Sequence, residues 1–279
     1  MEECDRTKLQ KKARDIRKLA IEAICGLGIG HIGGSMSIVE TLVILYHKFM
    51  KIDPKNPRMK ERDRLVMSKG HAGPALYSIL ADLGYFPKEW LKTLNRGGTR
   101  LPSHCDMNLT PGIDMTTGSL GQGLSAAIGM AIASRMDKLP GRIYAIIGDG
   151  ECNEGQVWEA AMAAAHFKLS NITCFLDYNK MGLDGWLADV MDISDITAKW
   201  VAFEWFVQRV DGHDFDALDR AILAAQKETR RPSMIVLDTI KGKGCTFAEG
   251  RVDSHHMKCT VEQGREAIAR LDQMTFQGD

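Results

Sequence analysis

Two short runs of almost wholly apolar residues, Ile143 to Ile147 and Ile172 to Leu176, restrict what this chain can fold into more than any other feature. A strand that is apolar at every position must be covered on both faces, which is the condition of a parallel sheet wrapped by helices. The alanine-rich stretch between the runs, Val157 to Phe167, reads as the crossover helix that joins two parallel neighbours. Further along, a strand near Phe206 to Val210, a helix from Phe215 to Lys227 and a strand from Met234 to Asp238 continue the alternation. The expected fold is therefore α/β, a doubly wound and mostly parallel sheet with helices on both faces. Before the first strand the periodicity is helical. Leu9, Ala13, Ile16, Ala20, Ile24 and Leu27 form one face of a helix from Asp5 to about Leu27. Later segments near Ile38 to Phe49, Ala72 to Leu83 and Gly121 to Arg135 also read as helices. Arg96 to Pro111 has no periodicity and is expected to be a long surface loop, a kind of segment that is usually functional.

The turns at the strand ends suggest chemistry. Gly148-Asp149-Gly150 comes directly after the first run, at the strand end where open parallel sheets bind ligands. The Asp149 carboxylate is a hard oxygen donor suited to magnesium, calcium or manganese. The glycines beside it let the backbone approach a bulky anion, and the N–H groups of the helix just beyond favour phosphate. The next strand ends in Asp177-Tyr178-Asn179-Lys180-Met181-Gly182. There Asn179 offers an amide oxygen and Met181 a backbone carbonyl, which would complete a face of three protein ligands. Twenty-nine positions separate Gly150 from Asn179, one helix plus one strand, so both groups should meet at the same sheet edge.

The whole segment GDGECNEGQVWEAAMAAAHFKLSNITCFLDYNKMGLDG resembles the thiamine-diphosphate motif of transketolases. GHIGGSMS (Gly30 to Ser37), MSKGHAGPALYSIL (Met67 to Leu80) and TTGSLGQGLSAAIGMA (Thr116 to Ala131) follow that family's order. The resemblance runs from about residue 10 to residue 260. It implies the thiamine-diphosphate-binding fold, with residues 1–279 as a single diphosphate-binding domain. It also implies roles: His71 at the cofactor diphosphate, His31 and His104 at the sugar, and His255 near the diphosphate and the donor's first hydroxyl. His256 is set aside. Gly118, Ser119 and Leu120 would contact the cofactor with Asp149, Gly150, Asn179, Leu183 and Lys241, although Ser119 stands where the family usually has proline and Ser103 where it has glycine. Glu154 is expected in a glutamate network linking paired active sites and is counted with both the catalytic and the cofactor-binding groups; Glu159 is a second candidate for that network. An imidazole titrates near neutrality, so histidines in glycine-rich turns suit proton exchange with hydroxyls and alkoxides.

The family binds the aminopyrimidine end of the cofactor, and activates it with a glutamate, on a second domain that has no room within these 279 residues. The resemblance thus implies the N-terminal subunit of a split transketolase, paired with a separate C-terminal subunit, two of each. The implied reaction transfers a two-carbon ketol unit from a ketose to an aldose, with thiamine diphosphate and a divalent cation. Alternatives in view are a subunit of a 1-deoxyxylulose-phosphate-synthase-like or decarboxylating dehydrogenase enzyme, and a non-catalytic cofactor-binding module. His31 and His104 favour transketolase over the first, and intact Asp149, Asn179 and His71 weigh against the second.

Bulk properties exclude other classes. Thirty-six basic residues balance thirty-six acidic ones, so no global field recruits nucleic acid or an anionic membrane. The basic run from Lys8 to Lys18 lies at helical spacing and reads as a solvated helix face. Seven cysteines without a CxxC pair, no apolar leader and no membrane-length apolar run point to the cytoplasm. Gly28, Gly30 and Gly33 fit the dinucleotide pattern G-x-G-x-x-G, but they follow a helix where that motif requires a strand. His213, in an Asp-Gly-His-Asp turn, is expected to serve turn and cap chemistry.

Overall fold

The computed structural model describes residues 1–275. Helix α1 (Glu3–Leu27) buries the expected stripe and stops where Gly28 takes a left-handed φ of 94°, a conformation that costs a residue with a Cβ. The glycines of the dinucleotide-like pattern belong to this cap, to a two-residue strand β1 (Ile29–Gly30) and to the short helix α2 (Ile32–Met36), so no nucleotide-binding turn forms. Helix α3 (Val39–Ile44) runs on through one π-helical turn to Phe49, matching the segment expected from 38 to 49. Strand β2 (Arg64–Met67) leads into α4 (Gly73–Asp82), and α5 (Gln122–Met136) into β3 (Ile143–Gly148). Then come α6 (Gly155–His166), β4 (Ile172–Tyr178), α7 (Leu187–Val190), α8 (Ile196–Ala202), β5 (Phe206–Asp211), α9 (Phe215–Lys227) and β6 (Ser233–Asp238). Strand β7 (Met257–Lys258) pairs antiparallel with β1, and α10 (Val261–Asp272) closes the described chain.

The five longer strands form one parallel sheet in the order β2-β3-β4-β6-β5. Side chains alternate across a strand, so each apolar run feeds two cores. Tyr144, Ile146 and Phe175 pack toward α1, α3, α4 and α9. Ala145, Ile147, Cys174 and Leu176 pack toward α5, α6 and α8. Burial of each large aliphatic side chain contributes about 1.5–3 kcal/mol, and that is why both runs carry no polar alternation. Among the described residues no helix is long and apolar enough to cross a membrane. The basic face of α1 is partly used in ion pairs, Lys12 with Asp82 and Lys18 with Asp272.

Three features depart from the sequence reading. Strand β2 has only three apolar residues at the sheet edge, too short a signal to stand out beside the polar loop that precedes it. Helix α10 carries a Thr260–Gln263 capping box, a start signal that is legible in sequence but absent from the expected elements above. Strand β4 continues through Asp177 and Tyr178, two residues expected in the loop. In-register pairing then sets Gly148 beside Asp177, and Tyr178 beside Asp238.

Helix α5 leans on the end of β2 through Gly123. A Cβ there would lie 2.5 Å from Ser68 Oγ and 2.6 Å from Ser68 Cα, and backbone cannot yield. Gly123→Ala is expected to cost about 2 kcal/mol or more, read as a lower urea midpoint at unchanged slope. An unchanged midpoint would show slack between α5 and β2.

Candidate active site

The carboxyl ends of β2, β3, β4 and β6 open on one cavity of about 270 Å³, whose walls include Lys69, His71, Asp149, Asn179, Lys241 and His255. A larger groove of about 560 Å³ between α1 and α10 is lined by apolar side chains, surface charges and Cys25, with no histidine or aspartate, so size alone does not locate the chemistry.

Asp149 sits at the centre and is 3% exposed. Its Oδ1 accepts the Gly150 N–H at 2.8 Å and its Oδ2 the Lys180 N–H at 2.5 Å. Burial first, and then the neighbouring Asp177 carboxylate, push its pKa up to about 7. Asn179 donates its amide N–H to Asp177 Oδ2 at 3.0 Å, which fixes the amide so that its oxygen is the free acceptor. That oxygen takes the Met181 N–H at 3.1 Å and keeps a second lone pair. The Met181 carbonyl accepts from Lys241 Nζ at 3.2 Å, and the Gly182 carbonyl from the same ammonium at 2.7 Å.

This donor set fits a divalent cation. The buried Asp149 carboxylate has backbone amides as its hydrogen-bond partners, and a cation would offset the burial that raises its pKa. Asn179 and the Met181 carbonyl add neutral hard oxygens, each with a lone pair to spare. Among the described residues no three His, Cys, Asp or Glu side chains are grouped to hold a metal, so an all-protein cage is not what the site offers. One carboxylate would leave a divalent ion half of its charge for an anionic ligand.

An anion has its own partners. Lys241 is 1% exposed, and burial lowers its pKa to about 8. Gly34 leaves room between strand ends: a Cβ there would lie 2.9 Å from His71 Nε2 and 3.4 Å from Lys69 Nζ. Of the other sequence-expected contacts, Leu120, Gly150 and Leu183 line the cavity. Leu183 is 61% exposed there. Gly118 instead backs onto the His104 ring, and Ser119 is exposed. Glu154, the N-cap of α6, and Glu159, within it, are exposed and are not among the residues that line the cavity.

The histidines converge beside the cavity. The His31 ring centroid lies 5.4 Å from His71, 5.2 Å from His104, 5.6 Å from His255 and 4.4 Å from His256. His71 and His255 are 4.8 Å apart. The sequence reading sets His256 aside, yet its ring is nearest to His31. Burial, reinforced by neighbouring imidazoles, lowers His31 to about 3. Burial and then Lys241 and Lys69 lower His255 to about 4. His71 is held well below its usual value by burial and Lys69, and His104 is lowered by burial and His256. These rings are therefore neutral at pH 7, each with one N–H to donate and one lone pair to accept. That differs from the near-neutral titration expected from histidine in general, because the cluster excludes water and each ring disfavours charge on the next.

Three groups escaped the sequence reading. Asp177 is fully buried and accepts from Lys69 Nζ at 2.5 Å, Ser37 Oγ at 2.7 Å, Asn179 Nδ2 and Thr239 Oγ1. Lys69 is its counterion. Glu151 is likewise buried and joins three strand and helix ends, accepting from Ser68 Oγ, from the Gly121 N–H at 2.9 Å and from the Gly148 N–H at 3.0 Å. The available signal was position: each lies within three residues of a strand's carboxyl end.

Comparison with known proteins gives consistent findings. The sequence matches the family described as "Transketolase, thiamine diphosphate binding domain" over residues 8–271. The 6-deoxy-6-sulfo-D-fructose transketolase subunit SqwG of Clostridium sp. (strain MSTE9) is 57% identical over 264 residues, which cover 95% of this chain and 96% of that subunit. An apulose-4-phosphate transketolase subunit of Phocaeicola vulgatus is 36% identical, covering 95% of this chain and 94% of its own length. The solved transketolases of Leishmania mexicana and Campylobacter jejuni superpose with TM-scores of 0.88 and 0.87 at 30% and 31% identity. They cover 97% and 95% of this chain, which spans 42% of each of them.

Proposed function

The chain belongs to the transketolase family through its thiamine-diphosphate-binding domain, and from that premise we propose that it is one half of a two-subunit transketolase. The observation that carries the reading is the convergence of Asp149, Asn179, the Met181 carbonyl and Lys241 on one cavity at the sheet's carboxyl edge. Magnesium is the cation that suits a site with one carboxylate, two neutral oxygens and an anionic ligand to share it. Near-complete overlap with relatives named as subunits supports a separate partner, which would supply the pyrimidine-binding domain and the activating glutamate. An assembly of two of each is the arrangement proposed. Glu154 at the N-cap of α6 and Glu159 within it, both exposed, are the acids this chain would present to that assembly. Seven free thiols, six of them buried, support a reducing compartment, the cytoplasm.

Thiamine diphosphate, when bound, supplies the nucleophilic carbon and the electron sink for breaking and forming a carbon–carbon bond beside a carbonyl. The work left to this chain is binding and proton traffic. Asp149, Asn179 and the Met181 carbonyl would hold the cation, while Lys241 and His71 meet the diphosphate. Gly150, Leu120 and Leu183 shape the wall around it. His31, His104 and His255 would hydrogen-bond the sugar: neutral imidazoles accept a proton from a hydroxyl and donate N–H to an oxygen gaining charge. His256, against His31, joins them at the mouth.

The relative named for 6-deoxy-6-sulfo-D-fructose is far more similar than those named for apulose-4-phosphate, which supports a sulfonated ketose as donor. The test is reconstitution. The purified chain with magnesium and thiamine diphosphate should show no two-carbon transfer, and a subunit bearing a pyrimidine-binding domain should restore it. Sulfofructose should outperform fructose 6-phosphate as donor. Full turnover by the isolated chain would overturn the two-subunit reading, and equal use of both ketoses the donor assignment.

A further inference from the structure

We propose that Arg17, Glu40 and His213 form a positioning triad that sets the Lys241 ammonium at the cation and diphosphate seat. None of the three lines the cavity. Each comes from a different part of the chain: α1, α3 and the turn between β5 and α9.

The chemistry starts at the Asp-Gly-His-Asp turn. Asp211 accepts the His213 N–H at 2.8 Å and Asp214 caps α9, so the two acids fulfil the turn and leave the imidazole for another task. His213 Nε2 accepts the Ile240 N–H at 2.9 Å. The proton must then sit on Nδ1, which lies 3.1 Å from Glu40 Oε2 and donates to it. The same Glu40 oxygen accepts from Arg17 Nη2 at 2.7 Å. Arg17 Nε in turn donates to the Lys243 carbonyl at 2.9 Å.

The turn that carries Lys241 is thus gripped one residue before it, at the Ile240 N–H, and two residues after it, at the Lys243 carbonyl. A single buried carboxylate joins the two grips. Burial would raise the Glu40 pKa, but Arg17 and His213 outweigh it and hold it at about 2, so the carboxylate is permanently charged at neutral pH. The approach is close as well: a Cβ on Gly244 would lie 2.9 Å from Arg17 Cδ. From this held turn Lys241 Nζ reaches the Met181 and Gly182 carbonyls. Groups that orient a ligand residue in this way typically change ligand affinity about ten- to a hundredfold when removed.

The inference rests on the reading of Lys241 as a diphosphate ligand, and a double-mutant cycle separates the two. The full chain is titrated with thiamine diphosphate at saturating magnesium by calorimetry. Lys241→Met should weaken binding; unchanged affinity would bring down the diphosphate reading itself. His213→Phe should weaken it about tenfold, and His213→Gln, which restores an acceptor for the Ile240 N–H, should return it to within about threefold. Glu40→Gln, a milder change of shape, should also weaken binding. In the Lys241→Met background His213→Phe should have no further effect. Full affinity in both His213→Phe and Glu40→Gln, or a His213→Phe effect that persists undiminished without Lys241, would overturn the triad while leaving the Lys241 assignment intact.

Discussion

Asp149→Asn is expected to lower magnesium-dependent affinity for thiamine diphosphate by about a hundredfold or more, while the unliganded chain becomes relatively more stable as pH rises. The two halves of this result have one cause. A carboxylate that is 3% exposed, with backbone amides for partners, is costly to keep charged until a cation arrives. Its folded pKa, near 7, lies above the unfolded value of 3.8. A raised folded pKa means stability that is complete below about pH 4 and is lost as pH climbs through 7, by up to roughly 4 kcal/mol. The asparagine variant has no such loss. It gives up one good acceptor for the Gly150 or Lys180 amide, worth about 1–3 kcal/mol, at every pH. Without ligands the parent should therefore hold its advantage at pH 5 and lose it by pH 8. With magnesium and cofactor the parent should regain stability by mass action and the variant should not. Thermal melts across this pH range, with and without ligands, measure both. Retained affinity would remove Asp149 from the cation seat, and a pH-independent difference would show that its burial carries no charge penalty.

Asp177→Asn should be the most destabilising conservative change in the site, by about 3–5 kcal/mol. Asp177 is the counterion of Lys69, which is itself 1% exposed. An amide there would leave a buried ammonium uncompensated and would turn its N–H₂ group either to the Thr239 hydroxyl or to the Ser37 and Asn179 donors. Burial would raise the Asp177 pKa, but Lys69 and the hydroxyl donors reverse the sign and hold it below its usual value. The pH dependence is then opposite to that of Asp149. Stability from Asp177 is present above its unfolded pKa and lost as pH falls through the lower folded one. The parent should weaken in acid through this group, and the variant should lack that limb. Adding Lys69→Met should recover part of the loss, because it removes the stranded charge. A urea midpoint unchanged by Asp177→Asn, or no recovery in the double variant, would show that the buried pair does not hold these strand ends together.

The strands most plainly written in the sequence were those buried on both faces, although the edge strand β5 was also read, from Phe206 to Val210. Ile143 to Ile147 and Ile172 to Leu176 have no polar residue facing solvent, which suits a parallel strand covered on both faces. The edge strand β2 was not legible because its three apolar residues make too short a run beside the polar loop that precedes it. Within the site, Asp149 and Asn179 stood out because a Gly-Asp-Gly turn and an Asn-Lys turn each follow an apolar strand, one helix plus one strand apart. Lys69, Asp177 and Glu151 did not, since a lysine or an acid in a sequence gives no sign of whether it is buried. His256 was indistinguishable from His255 by composition alone; only the β1–β7 pairing brings that segment against His31.

By itself, the sequence determined most of the alternation of strands and helices and the sheet edge on which Asp149, Asn179 and Met181 meet. These follow from local periodicity and from distances of one helix plus one strand, which the chain cannot evade. Only the tertiary structure decided which charges are stripped of water and which partners they then require. Asp177 holds Lys69, burial keeps four histidines neutral with help from neighbouring lysines and imidazoles, and Glu40 joins Arg17 to His213 across three separate elements. Desolvation and ion pairing depend on what is near in space. Residues 23 and 173 positions apart in the chain become neighbours there only after the sheet and its helices have closed.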